Sequence, residues 1–142
     1  MEEVYMMKKL LSIFVVSAII FLGLGGFVLA NNHTDTDWGG ILPRAQGNFY
    51  TENREKQDKT SAYIKLDYCG KGGIRSWVQM SDGTEVDSPK VNVLVGQSKK
   101  ISNYAYEKYA KYGKVYVRLA IESNSFNLFQ VEAGGVWSPD SV

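Results

Sequence analysis

The chain is 142 residues long, 44% hydrophobic and 22% charged, with 16 Lys and Arg against 15 Asp and Glu and a net charge of +1. A balance this close to zero gives no bulk attraction for nucleic acid or for an acidic membrane surface, and the length suits a single core. The lone cysteine, Cys69, excludes an intramolecular disulfide, so packing must hold the fold.

The first element is a secretory signal peptide over residues 1–30. Lys8 and Lys9 precede an uncharged apolar run from Leu10 to Val28, which closes on Val28-Leu29-Ala30. A basic start, an apolar helix and small side chains at Val28 and Ala30 suit export and signal-peptidase cleavage. The expected working chain is Asn31–Val142, secreted into the extracellular space. The alternative for the same residues is an uncleaved anchor, since about 20 apolar residues span a bilayer, with the domain tethered outside. Gly23, Gly25 and Gly26, and the abrupt polarity of Asn31-Asn32-His33-Thr34-Asp35, favour cleavage.

Residues 31–46 are polar, with only Trp38, Ile41 and Leu42 able to anchor them, and read as a flexible leader to a domain over 47–142. A short first strand is expected around Phe49 and Tyr50, then a solvated charged loop from Arg54 to Lys59. From Ser61 to Cys69, Ala62, Ile64, Leu66 and Tyr68 alternate with Tyr63, Lys65 and Asp67, the period of a half-buried strand. Gly70-Lys71-Gly72-Gly73 turns into a second such strand, Ile74–Ser81, and Asp82-Gly83 permits a tight hairpin that returns Thr84–Asp87 onto Trp77–Met80. Val91–Val95 is a short apolar strand. Asn103–Tyr112 is open between a short helix and an irregular loop. Val115, Val117, Leu119 and Ile121 form the clearest inward face and mark a central strand. A last strand, from about Leu128 to Trp137, is interrupted at Gly134-Gly135 by a bulge or a close backbone approach, and Pro139 ends it. About seven short strands separated by turns, with no long helix after the signal, predict an all-β antiparallel sandwich or flattened barrel.

Catalytic signatures are scarce. His33, the one histidine, lies in the leader, away from Cys69 and from most serines. Gly70-Lys71-Gly72-Gly73 lacks the spacing of a phosphate loop, and carboxylates around a hairpin, here Asp82, Glu85 and Asp87, are ordinarily solvated. Cleavage after Ala30 would create the terminus Asn31-Asn32-His33, whose amine, two amides and imidazole offer Cu(II) or Ni(II) a square-planar field. The broader feature is the segment from Lys99 to Arg118. It holds Lys99, Lys100, Lys108, Lys111, Lys114 and Arg118 against Glu107 alone, interleaved with Tyr104, Tyr106, Tyr109, Tyr112 and Tyr116. Tyrosine faces stack on sugar rings and clustered lysines attract anionic polymers; a solvated lysine face over packed tyrosines is the plainer alternative.

The signal start Met7-Lys8-Lys9-Leu10, the run Phe49-Tyr50-Thr51-Glu52-Asn53-Arg54, the hairpin Asp82-Gly83-Thr84 and the closing Gly135-Val136-Trp137-Ser138-Pro139-Asp140 together carry a resemblance. The chain resembles a family of small secreted proteins of Gram-positive bacteria, domain of unknown function 2712. That resemblance covers nearly the whole domain and supplies no catalytic residues. A weaker one is to exported bacteriocins of the lactococcin 972 type, signal-bearing β-sandwiches with a similar Gly-Val-Trp. The leading expectation is a non-enzymatic domain, without cofactor, that binds at the bacterial cell envelope. Its expected partners are anionic wall polymers, glycans or lipid head groups, not nucleic acid, with membrane insertion only through an uncleaved signal segment. The alternatives are a secreted antimicrobial polypeptide and an envelope enzyme with an unrecognised carboxylate site.

Overall fold

The computed structural model describes residues 32–142, so the expected signal segment, its cleavage site and Asn31 lie outside the described residues. Within them the chain forms β1 (Thr36–Leu42), β2 (Phe49–Tyr50), β3 (Arg54–Lys56), β4 (Ala62–Cys69), β5 (Ile74–Met80), β6 (Val91–Val93) and β7 (Ser98–Ile101). A short helix α1 (Ala105–Tyr109), continued by a 3-10 turn over Ala110–Tyr112, leads to β8 (Val115–Ser123) and β9 (Val131–Ser138). One antiparallel sheet has the order β1-β9-β4-β7; the other has the order β2-β8-β5-β6, with β3 also on β8. Neither closes into a barrel, and the architecture is the all-β sandwich that the alternating segments predict.

The core lies between the sheets. Leu42, Ile64, Leu66 and Trp137 from one meet Ile74, Val78, Leu119 and Ile121 from the other in a single buried cluster. Each such side chain contributes about 1.5–3 kcal/mol on burial, which is how the domain holds together without a disulfide. β8 is central, as its inward face implies, with β2 and β3 along one edge and β5 along the other. Of the bulge or close backbone approach expected to interrupt the last strand at Gly134-Gly135, the close approach is present, and β9 runs through it unbroken. A Cβ on Gly135 would stand 1.9 Å from the Lys65 carbonyl oxygen, and the register between β4 and β9 shifts between Leu66 and Tyr68. That shift puts Tyr68 outward, against the inward place its alternation predicts, and lays its ring over Gly134. Cys69, beyond the bulge, packs against the core with its thiol donating to the Lys71 carbonyl at 3.3 Å.

Other expectations need correction. The segment read as a flexible leader contains β1, paired with β9 over its whole length, because Trp38 and Leu42 supply enough buried surface to fix seven residues. Arg54–Lys59 is not simply a solvated loop, since Arg54–Lys56 is strand β3 and the Lys56 side chain is fully buried. Its Nζ donates to Asp140 Oδ1 at 2.9 Å, to the Pro139 carbonyl at 2.9 Å and to the Thr60 carbonyl, while Asp140 Oδ2 accepts from the Gln57 amide at 2.8 Å. This buried ion pair fastens the end of the chain to the β3–β4 loop. Arg54 likewise leaves β3 to reach the Trp137 carbonyl at 3.0 Å and the Asn32 amide oxygen at 2.6 Å. The hairpin return from Thr84 to Asp87 reduces to one bridge, Gln79 with Glu85, because the Ser88 hydroxyl takes the Val78 amide instead. The apolar strand ends at Val93, β7 forms without an apolar alternation to announce it, and the last strand begins at Val131 rather than Leu128.

Candidate functional site

The basic and tyrosine-rich segment is divided by the fold into three places. Lys99 and Lys100 lie on β7, the outer strand of its sheet, in register with Ile64 and Tyr63. Lysines on a sheet edge discourage pairing with another chain, and Lys100 also donates to the Val142 carbonyl at 2.6 Å. At the other extreme, Arg118 lies on the outer face of the five-stranded sheet. Its guanidinium stacks 3.8 Å from the Tyr50 ring centroid and donates to Gln79 Oε1 at 3.2 Å, so its donors are partly spoken for. The same face carries Glu122, buried between Arg75 at 3.0 Å and Lys90 at 3.2 Å, with the Lys90 ammonium 4.1 Å over Trp77.

Between these places the helical link gathers the remainder at one end of the sandwich. It forms because Asn103 Oδ1 accepts the Ala105 amide at 3.2 Å and Ala105 is buried as its apolar foot. The link ends at Gly113, whose φ of +137° is open to glycine and strained for other residues. Tyr106 and Tyr109 are half-buried, and Tyr109 packs on the core. Tyr104, Tyr112 and Tyr116 are exposed, Tyr112 at 77%. The Lys111 ammonium stands 5.1 Å from the Tyr112 ring centroid. Lys108 pairs with Asp87 at 2.5 Å, which raises the lysine pKa through that hydrogen bond. Among the described residues, Lys111 and Lys114 have no acidic partner. The end thus offers aromatic faces beside free ammonium groups, a combination suited to a polymer carrying both sugar or polyol units and anionic groups.

The other proposed residues are placed as follows. Asn32 bonds Arg54 and the Glu55 carbonyl, the latter at 2.8 Å. His33 Nε2 meets Asp58 Oδ2 at 3.1 Å, beside an open depression of about 430 Å³ that His33, Tyr63, Lys100, Ser138 and Ser141 help to line. Asn31, the first member of the copper set, lies outside the described residues. Burial disfavours the Asp58 charge, but hydrogen bonds from Thr60 and His33 outweigh it and bring its pKa down to about 2. The hairpin carboxylates serve local structure. Asp82 accepts the Thr84 amide at 2.9 Å, Glu85 accepts from Gln79 at 2.7 Å, and Asp87 takes Lys108. The sequence reading missed the buried Lys56–Asp140 pair; a lysine in a charged run gives no sign of burial until its partner, distant in sequence, is located.

Comparison with curated proteins and with solved structures finds no match. A family described as "Protein of unknown function (DUF2712)" matches residues 26–141, which span the whole sandwich, from β1 through the Lys56–Asp140 latch. The chain therefore belongs to the DUF2712 family.

Proposed function

We propose that this protein is a secreted, non-enzymatic binding domain of a Gram-positive bacterium, acting at the cell envelope through the helical end of its sandwich. The observation that carries the reading is the run of exposed Tyr104, Lys108, Lys111, Tyr112 and Lys114 along the helical link, with exposed Tyr116 following at the start of β8. Outside such a cell the abundant polyanions are polymers of the wall. The three tyrosines supply stacking area, and the lysines supply attraction that weakens as salt screens it. Lys99 and Lys100, on β7, and Arg118, on β8, lie off the link, and Arg118 shares the outer face of β8 with Tyr116.

Replacing Lys108, Lys111 and Lys114 together with Gln tests the reading. All three side chains are exposed, so the fold should persist. Adsorption of the protein to isolated envelopes should fall several-fold and lose most of its salt dependence. Adsorption unchanged by the triple substitution would refute the assignment of this surface.

A further inference from the structure

The end of the sandwich opposite the helical link is built differently. Four loops meet there: residues 43–48, 70–73, 94–97 and 124–130. Gly73 exchanges backbone and side-chain hydrogen bonds with Asn124, and a Cβ at Gly73 would stand 2.9 Å from both Leu94 Cδ2 and Asn124 Nδ2, so three of the loops are in contact. The fourth joins through the Ala45 amide, which donates to the Asn127 carbonyl at 2.8 Å.

The 124–130 loop is inside out. Phe126, Leu128 and Phe129 are 64, 70 and 73% exposed, whereas Asn127 between them is 2% exposed. Among the described residues, neither side-chain polar atom of Asn127 has a hydrogen-bond partner. A loop shaped by water alone would present the asparagine and hide the aromatics. Leu94 and Val95 enlarge the apolar tip from the neighbouring loop, at 44 and 50% exposure. The four loops contain two cations, Arg44 and Lys71, and no acidic residue.

We infer that this tip is a membrane-docking site that inserts Phe126, Leu128 and Phe129 into the interface of an anionic lipid bilayer. The shape and charge select that occupant. The apolar groups project from loops at the end of a sandwich rather than lining a groove, and a fluid acyl boundary accepts such a shape without a matching cavity. Arg44 and Lys71, free of competing carboxylates on these loops, complement anionic head groups. A second copy is a poor match, since a stable interface takes about 20–30 residues a side and this patch offers five apolar ones. The site does not rest on the basic, tyrosine-rich end. β8, nine residues long, runs from one end to the other, which separates them by roughly 25–30 Å at about 3.3 Å per residue.

The test places a reporter in the loop of the full chain. Phe129→Trp adds an exposed indole, while the native Trp38, Trp77 and Trp137 are buried. Lys59→Trp, in the exposed loop before β4 at the far end, serves as the comparison. With phosphatidylglycerol vesicles, the Phe129→Trp emission should shift to the blue and be quenched by lipids brominated on their acyl chains, with Lys59→Trp unaffected. Binding should weaken when phosphatidylcholine replaces the anionic lipid. An indole at 129 that stays water-like and unquenched with every vesicle overturns the inference. So does a blue shift that appears without lipid alongside a doubled mass in light scattering, which would give the tip to a second copy.

Discussion

Lys56→Met probes the buried ion pair directly. Lys56 and Asp140 both have side chains at 0% exposure, and the ammonium is surrounded by Asp140, Thr60 and Pro139 oxygens. Removing the lysine leaves a carboxylate whose one remaining described hydrogen bond is the Gln57 amide at 2.8 Å. Breaking a buried pair from one side costs about 3–5 kcal/mol because the other charge is stranded. Against a total of about 5–15 kcal/mol for a domain, that is a large fraction, and it should lower Tm by roughly 10–20 °C in a chain of this size. Adding Asp140→Asn keeps the shape and the acceptor for the Gln57 amide but removes the stranded charge, so the double variant should recover about half the loss or more. Urea unfolding followed by the fluorescence of the three tryptophans measures both. A loss under about 1 kcal/mol for Lys56→Met, or a double variant no more stable than the single, would refute the assignment of a stranded buried charge.

Two further outcomes follow from the same structure. Gly135→Ala drives a Cβ toward the Lys65 carbonyl, 1.9 Å from its ideal position, and backbone cannot step aside as a side chain can. The loss should reach about 3 kcal/mol or more, seen as poor soluble yield or a much reduced urea midpoint, and an unaffected midpoint would contradict the close approach. Asp58, with its pKa lowered from 3.8 to about 2, contributes stability that is fully present above pH 3.8 and lost as pH falls from about 4 toward 2. Asp58→Asn should flatten that part of the stability profile, measured as urea midpoints between about pH 5 and pH 2.

The sheets were legible where burial follows a simple period. Ala62, Ile64 and Leu66, and Val115 through Ile121, alternate against a single core, and the structure places them in β4 and at the centre of the five-stranded sheet. Even the glycine pair in β9 announced a close approach, because residues without a Cβ in mid-strand have few other uses. What could not be read depends on partners distant in sequence. β1 is held by β9, and Lys56 by Asp140, and neither pairing leaves a local trace. β7 reads as a basic stretch because only Ile101 of its four residues turns to the core. Leu128-Phe129-Gln130, expected at the start of the last strand, stands outside both sheets, since β8 has ended at Ser123 and pairing with β1 begins only at Val131. The candidate contact surface was legible as a segment but not as a shape. Alternation along β8 sends Arg118 to the Tyr50 face, and the turn at Gly113 leaves Tyr112 and Lys111 at the tip of the link.

Binding of envelope polyanions by the helical end is the proposed function. Titrating isotope-labelled protein with soluble poly(glycerol phosphate), and following backbone amide resonances residue by residue, tests it most directly. Shifts concentrated over residues 104–116 are expected, weakening as salt is added, with little change in the 124–130 loop. Saturating polymer that leaves 104–116 unmoved, or that moves resonances elsewhere instead, would contradict it.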